Sequence, residues 1–221
     1  MHCALNNAQS QLSITLQWVV DYELFCRGVC SKGIFVYFCA MMTTVFLIGY
    51  MGCGKTTLGE PLARVLGWRF VDLDIYIEQQ CGMTAKEVFQ HYGEAHFREL
   101  ERSALREVAA SDGNKVVACG GGTPLRSENM ELMNSVGITV WLRASVERIT
   151  SRLVLPEQRA KRPLLNDMSD EQIMESVRKG LEARRKFYEQ AQLEFDSTFL
   201  ESEQEIDDSA HWLASLIKQR V

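Results

Sequence analysis

The stretch GYMGCGKTT (residues 49–57) directly follows the short apolar run VFLI. It contains the spacing G-x-x-x-x-G-K-[ST], which is typical of a loop that binds the phosphates of a nucleotide. The positions that fit are Gly49, Gly54, Lys55 and Thr56. The alternative is a plain glycine turn between a strand and a helix. The apolar run before the loop and the helical pattern KTTLGEPLARVLG after it favour the phosphate loop, because that loop requires a strand–loop–helix context.

Each part of such a loop has a chemical role. Backbone N–H groups surround the phosphates, and the N-terminus of the following helix adds the positive end of its dipole. Lys55 is expected to reach the β- and γ-phosphates, and the hydroxyl of Thr56 is expected to ligate Mg²⁺.

The composition is that of a globular protein and argues against several classes of function. The 221 residues are 46% hydrophobic and 24% charged, and the formal net charge is −5. A negative chain is not expected to present a broad surface for nucleic acid. Its seven cysteines are odd in number and form no paired C-x-x-C framework, so we expect reduced thiols and a cytoplasmic protein.

The N-terminal residues differ from the rest. Residues 1–41 carry four of the seven cysteines and have neither a secretory nor a transit-peptide pattern. Residues 33–54 contain no charge and are long enough to span a membrane. We reject a span, because the second half of that run forms the strand and the loop. Residues 1–41 are either an extension that packs on the domain or an upstream reading-frame extension with Met41 or Met42 as the start. We favour the second, because the recognisable domain, residues 42–221, begins directly after them.

Two further strands are predicted to end in ligand-binding residues. WRFVDLDIYIE is interpreted as a second strand with Asp72 and Asp74 at its carboxyl end, where open α/β sheets bind ligands. One carboxylate would hold the water shell of Mg²⁺ and the other a substrate hydroxyl. The alternative is that either aspartate caps a helix. KVVACGGGTPL is a third strand that ends in three glycines, which indicates close approach of the backbone to a ligand or to another loop.

Helices and a basic loop complete the pattern. A helix is predicted over MTAKEVFQHYGEAHFRELERSALREVAAS, in which Arg98 flanks the apolar face and Glu101 lies one turn on. By itself that pair would be a surface ion pair of little energy. The basic, proline-punctuated segment LPEQRAKRPLLNDMS predicts a lid at about residues 154–167, or alternatively a solvated loop. Arg184 continues the apolar stripe of the next helix, where an arginine requires an anion as partner.

Five short strands alternate with helices. This pattern predicts an α/β fold: a five-stranded parallel sheet with helices on both faces and a lid loop.

Taken together, these residues resemble the shikimate kinase family. The resemblance covers about residue 43 to the C-terminus and depends on GYMGCGKTTLG, DLD, FRELE, GGG, RPLL and RRKFY in that order. It implies a P-loop kinase fold like that of nucleoside monophosphate kinases. It also implies ATP- and Mg²⁺-dependent phosphorylation of the 3-hydroxyl of shikimate, in aromatic amino acid biosynthesis through chorismate. ATP and shikimate would be the small-molecule partners, and we expect a monomer.

The resemblance also assigns residues. Catalytic roles fall to Lys55, Asp74 and Arg162, and Mg²⁺ would be held by Thr56 and Asp72. The nucleotide would be bound by Gly52, Cys53, Gly54, Lys55, Thr56, Thr57, Arg152 and Arg162. The acceptor would be bound by Asp74, Arg98, Gly120, Gly121, Gly122 and Arg184, the two arginines clamping its carboxylate.

The chain departs from the family pattern in two places. Lys186 stands where the family often has proline, and the stretch between Arg152 and Arg162 is longer than in some members. Two alternatives stay open: a gluconate-type kinase of the same fold, and a family member that has lost catalysis and acts by binding a partner.

Overall fold

An apolar run rich in β-branched and aromatic residues forms the central strand. The computed structural model describes residues 43–160, 162 and 165–220. Strand β1, Thr44–Ile48, is buried at all five positions. Side chains alternate between the two faces of a strand, so burial at every position requires cover on both faces of the sheet.

The described residues form one five-stranded sheet in the order β2-β3-β1-β4-β5, with every pair parallel. In this register Thr44 lies beside Lys115 on one side and Gly137 on the other. Parallel strands bring their carboxyl ends to one edge. The segments that follow β1, β2 and β3 therefore meet there. The remaining strands are β2 (Arg69–Asp72), β3 (Lys115–Ala118), β4 (Gly137–Arg143) and β5 (Leu193–Asp196).

Helices connect and cover the strands, as the parallel sheet requires. They are α1 (Lys55–Leu66), α2 (Leu73–Cys81), α3 (Ala85–Ala110), α4 (Ser127–Val136), α5 (Val146–Leu153), α6 (Pro156–Ala160), α7 (Asp170–Tyr188) and α8 (Glu203–Lys218). Helix α1 packs against α8 and against β2 and β3, while α5 packs against α7. The predicted α/β fold with a parallel sheet is confirmed.

Local signals set the helix boundaries. The spacings T-x-x-E and S-x-x-Q predict capping boxes, and both are present: Thr84 with Glu87 starts α3, and Ser169 with Gln172 starts α7. Gly93, with φ of 78° and ψ of 173°, kinks α3 before Arg98. That kink separates the first turns of the helix from the part that reaches the site.

The structure corrects one predicted element and adds others. The second strand ends at Asp72, and Asp74 lies in the first turn of α2 rather than on a continuing strand. The short helices α4 and α6 were not predicted. The interpretation of residues 1–41 lies outside the described residues, as do residues 161, 163 and 164 of the predicted lid. Within the part of the chain that is described, no helix is both long and apolar enough to cross a membrane.

Candidate active site

The loop between β1 and α1 has a backbone that only glycine adopts easily. Gly52 and Gly54 have φ values of 78° and 98°, in the left-handed region. Gly54 is the N-cap of α1 and offers no side chain to its first N–H groups. Those donors and the positive end of the helix dipole face the loop, an arrangement that binds phosphate.

Lys55 folds back over this loop. Its ammonium donates to the carbonyl oxygens of Gly49 at 2.9 Å and of Tyr50 at 3.0 Å. The Sγ atom of Cys53 lies 3.8 Å from Lys55 Nζ, and its side chain is 1% exposed. An ammonium that bonds to loop carbonyls and a thiol can exchange them for phosphate oxygens when a nucleotide enters.

The two carboxylate oxygens of Asp72 have different partners. Its Oδ1 accepts from the backbone N–H groups of Asp74 at 3.1 Å and Ile75 at 3.4 Å, and so caps α2. Its Oδ2 accepts from the Thr56 hydroxyl at 2.8 Å. The capping interpretation is therefore confirmed for Asp72, and the cap itself turns the second carboxylate oxygen towards Thr56.

The Thr56–Asp72 pair fits a magnesium ion better than an all-protein metal cage. The described residues contain no group of three or more histidine, cysteine, aspartate or glutamate side chains that could hold a metal. Mg²⁺ usually keeps several waters and binds through one or two carboxylates and the phosphates of the substrate. One hydroxyl and one carboxylate oxygen beside a phosphate loop are a donor set of that kind.

Asp74 stands at the edge of the pocket, open to solvent on one side. Desolvation by the surrounding protein and the neighbouring charge of Asp72 raise its pKa to about 6, although Lys55 acts in the opposite direction. A carboxylate with such a pKa is a stronger hydrogen-bond acceptor and base than an ordinary aspartate near neutral pH.

Arg98 is fixed by a buried carboxylate. Its Nη1 donates to Glu101 Oε2 at 3.0 Å, and Glu101 is 1% exposed. The other Glu101 oxygen, Oε1, accepts from the Thr123 hydroxyl at 2.6 Å. Burial alone would lower the pKa of the guanidinium, but Glu101 and the exposed Glu94 raise it. The pair is not the weak surface ion pair that the sequence suggested.

The three glycines after β3 lie against the polar side chains assigned to the acceptor. A Cβ atom on Gly122 would lie 2.4 Å from Nη1 of Arg98, and one on Gly120 would lie 2.9 Å from Oδ1 of Asp74. A Cβ atom on Gly121 would lie 3.7 Å from Nη1 of Arg184. The absence of side chains here lets the three charged groups approach one backbone segment.

Arg184 reaches the same segment from helix α7. Its Nη1 donates to the carbonyl oxygen of Gly121 at 3.3 Å, and the Tyr188 hydroxyl donates to that oxygen at 2.8 Å. Lys186, at the position where the family often has proline, is exposed and lies inside the unbroken helix. Its presence leaves Arg184 and Tyr188 on the side of α7 that meets Gly121.

A pocket of about 620 Å³ opens beside these residues. Its lining includes ten of the predicted site residues: Gly52, Gly54, Lys55, Thr56, Thr57, Asp72, Asp74, Gly121, Arg152 and Arg162. The lining does not include Cys53, Arg98, Gly120, Gly122 or Arg184. Cys53 is buried. Gly120 and Gly122 belong to the glycine segment, and Arg98 and Arg184 lie against that segment.

The remaining two arginines, Arg152 and Arg162, also line the pocket. Arg152 donates to the carbonyl oxygens of Gly52 at 3.0 Å, Ser197 at 3.2 Å and Leu200 at 3.0 Å. Arg162 bonds the backbone oxygen of Gln158 at 3.2 Å and its side-chain oxygen at 2.6 Å. Burial lowers the pKa of both guanidinium groups, and for Arg162 the charge of Asp74 acts in the opposite direction.

Several residues of the site were not predicted. Leu155 and Leu200 give the pocket apolar walls near Arg152. Tyr188 was recognised only as part of the RRKFY motif, and its bond to Gly121 joins positions 67 residues apart, which no local pattern reveals.

A parallel sheet, a phosphate loop after its central strand and a polar pocket at its carboxyl edge define a P-loop kinase. The family model for shikimate kinase matches residues 51–214. The chain belongs to the shikimate kinase family. It is 44% identical over 177 residues to a shikimate kinase of Bacteroides thetaiotaomicron, a match covering 80% of this chain and 99% of that protein. It is 40% identical to a shikimate kinase of Parabacteroides distasonis, over 80% of this chain and all of that protein.

Solved structures agree. The crystal structure of the Bacteroides thetaiotaomicron shikimate kinase matches with a TM-score of 0.76, over 80% of this chain and 99% of that one. A shikimate kinase from Acinetobacter baumannii, solved in complex with shikimate, matches with a TM-score of 0.70 at 31% identity. That match covers 81% of this chain and 95% of the other.

Proposed function

We propose that the chain transfers the γ-phosphoryl group of ATP to the 3-hydroxyl of shikimate, giving shikimate 3-phosphate and ADP. The observation that carries the proposal is the convergence of Arg98, Arg184 and Asp74 on the glycine segment beside the phosphate loop. Two guanidinium groups suit a carboxylate, and an aspartate suits a ring hydroxyl. The relative from Acinetobacter baumannii, which binds shikimate, supports the same acceptor.

The nucleotide end of the site stabilises the negative charge of the phosphates. The loop N–H groups bind the phosphates, and Lys55 leaves the carbonyls of Gly49 and Tyr50 to neutralise the β- and γ-oxygens. Arg162, in the segment assigned as the lid, adds a second positive charge at the transferring group. Arg152, which bonds the backbone oxygens of Ser197 and Leu200, is assigned here to the adenine side of the nucleotide.

Thr56 and Asp72 would hold the magnesium ion, Thr56 directly and Asp72 through water. When bound, the ion neutralises charge on the β- and γ-phosphates. The hydrogen bond between Thr56 and Asp72 keeps both oxygen groups together beside the loop before a nucleotide arrives.

Asp74 orients the acceptor. Its carboxylate accepts a hydrogen bond from the attacking hydroxyl and takes up its proton as the bond to phosphorus forms. Arg98 and Arg184 grip the carboxylate of shikimate, which places the ring between the clamp and Asp74. Glu101 keeps the Arg98 guanidinium in position throughout.

The test is a phosphoryl-transfer assay with a matched pair of variants. Purified protein with ATP and Mg²⁺ should phosphorylate shikimate and not gluconate. Arg98→Ala should weaken shikimate binding by about tenfold to a few hundredfold, because a charge-assisted bond contributes about 1.5–3 kcal/mol. Its affinity for ATP should hardly change.

Arg102→Ala is the control. Arg102 lies one turn further along α3 and pairs at the surface with Glu99, so its loss should leave shikimate affinity unchanged. Equal shikimate affinity in Arg98→Ala and the wild type would contradict the assignment of Arg98 to the acceptor. Turnover with gluconate but not with shikimate would show that gluconate, not shikimate, is the acceptor.

A further inference from the structure

The second residue of the phosphate loop, Tyr50, turns its side chain into the protein and does not line the pocket. The side chain is 4% exposed. The guanidinium carbon of Arg184 lies 4.9 Å from the centre of the Tyr50 ring, which is within cation–π distance. The acceptor-side arginine thus rests on a side chain of the nucleotide loop.

Helix α7 is shaped to admit this ring. Gly180 and Arg184 are one turn apart, so they lie on the same face of the helix. A Cβ atom on Gly180 would lie 2.4 Å from the Tyr50 hydroxyl and 2.7–2.8 Å from two ring carbons. Only glycine leaves room at that position for the ring in the place it occupies.

The same residue also contacts the catalytic lysine. The carbonyl oxygen of Tyr50 accepts from Lys55 Nζ at 3.0 Å and from the Cys53 backbone N–H at 3.3 Å. Tyr50 therefore contributes its backbone to the nucleotide side and its ring to the acceptor side. Burial raises the pKa of its phenol, although Arg184 opposes that effect, so the ring stays neutral beneath the guanidinium.

We propose that Tyr50 is a positioning residue for the acceptor: its ring holds Arg184 in the plane and place from which it grips the carboxylate of shikimate. The inference rests on the proposed function. The Gly121 carbonyl takes one of the arginine's N–H groups, and the ring covers one face of the guanidinium. Arg184 also makes a side-chain hydrogen bond with Tyr188. A guanidinium has five N–H donors, so donors remain for a carboxylate after these two contacts.

The test is a double-mutant cycle read by calorimetry with shikimate and, separately, with ATP. Tyr50→Leu removes the ring but keeps an apolar side chain. It should weaken shikimate binding by about 3- to 30-fold, the range of a cation–π contact, and leave ATP affinity within about twofold. Tyr50→Phe, which keeps the ring, should restore most of the affinity. In an Arg184→Ala background, Tyr50→Leu should cause no further loss.

If Tyr50→Leu fails to fold, Gly180→Ala tests the role of the Tyr50 ring independently. Its methyl group would displace the ring, so it should weaken shikimate selectively. Wild-type shikimate affinity in Tyr50→Leu or Gly180→Ala would overturn the proposal. The proposal would also fail if the shikimate affinity of the Tyr50→Leu/Arg184→Ala double variant fell by the product of the two single losses. If Arg184→Ala weakens shikimate while these variants do not, the role of Tyr50 fails and the proposed function stands. If Arg184→Ala has no effect on shikimate, the acceptor assignment itself fails, and this inference with it.

Discussion

Arg98 is held by Glu101 through a 3.0 Å ion pair whose carboxylate is almost completely buried. Glu101 also accepts from the Thr123 hydroxyl, directly after the three glycines. The buried anion therefore fixes the guanidinium of α3 relative to the loop that follows β3. Removing one partner from such a pair leaves the other without compensation, which makes the pair sensitive to substitution.

Glu101→Gln keeps the shape of the side chain and removes its charge. We expect shikimate affinity to fall by about tenfold, because Arg98 loses its fixed partner, and the free energy of unfolding to fall by about 1–3 kcal/mol. Calorimetry and denaturant unfolding measure the two effects. Glu99→Gln, in which an exposed carboxylate of the same helix is changed, is the control and should alter neither. Unchanged shikimate affinity in Glu101→Gln would contradict the positioning role.

Gly122→Ala should imitate the loss of Arg98 without touching that residue. The added methyl group would lie 2.4 Å from Arg98 Nη1, so the guanidinium must move. We expect shikimate binding to weaken by at least about tenfold with little change for ATP. In an Arg98→Ala background the same glycine substitution should have no further effect, since the clash is gone. Additive losses would show that the glycine acts in another way.

Lys55→Ala should lower kcat by about 100-fold or more, because the charge that stabilises the transferring phosphoryl group is lost. In the structure Lys55 bonds only to loop carbonyls and a thiol, so the fold should survive. Steady-state kinetics and thermal unfolding distinguish these effects. Lys179→Ala, at an exposed position of α7, should retain full turnover. Near-normal kcat in Lys55→Ala would show that the loop is not catalytic.

The nucleotide loop and the helix caps could be predicted because their signals are local. The spacing from Gly49 to Thr56 and the pairs Thr84–Glu87 and Ser169–Gln172 each lie within eight residues. The backbone conformations they require follow from the residues themselves. The parallel sheet followed from the alternation of strands and helices, while its strand order depends on contacts between distant segments.

The errors have physical causes as well. The strand containing Asp72 was extended too far because that residue ends β2 and caps α2 without an intervening loop. Glu101 was interpreted as a surface residue because its contact with Thr123 joins positions 22 residues apart, which helical periodicity cannot reveal. Helix α4 has a polar sequence and was missed. Its buried Asn129 is satisfied by the backbone oxygen of Thr123 at 2.9 Å, a contact that hydrophobic periodicity cannot reveal.

The raised pKa of Asp74 predicts the pH dependence of the enzyme. If its carboxylate accepts the proton of the attacking hydroxyl, kcat/KM for shikimate should fall as pH decreases through about 6. Initial rates at low shikimate concentration and a fixed saturating ATP concentration give this profile. Part of the shift comes from the charge of Asp72, after desolvation. Asp72→Asn should therefore lower overall activity and also move the acid limb to lower pH.

The stability of the protein reports the pKa of Asp74 without depending on turnover. The folded-state pKa of Asp74 lies above its ordinary value of 3.8, so the folded protein holds a proton between about pH 4 and 6 that the unfolded chain has lost. The stabilisation from this proton is fully present below about pH 4 and is lost as pH rises through about 6. Asp74→Asn, which carries no charge at any pH, should therefore have a higher Tm than the wild type at pH 8, and the difference should shrink towards pH 4. The assignment fails if the difference in Tm stays constant with pH and the acid limb of kcat/KM does not move in Asp72→Asn. Another group would then control the pH dependence of kcat/KM.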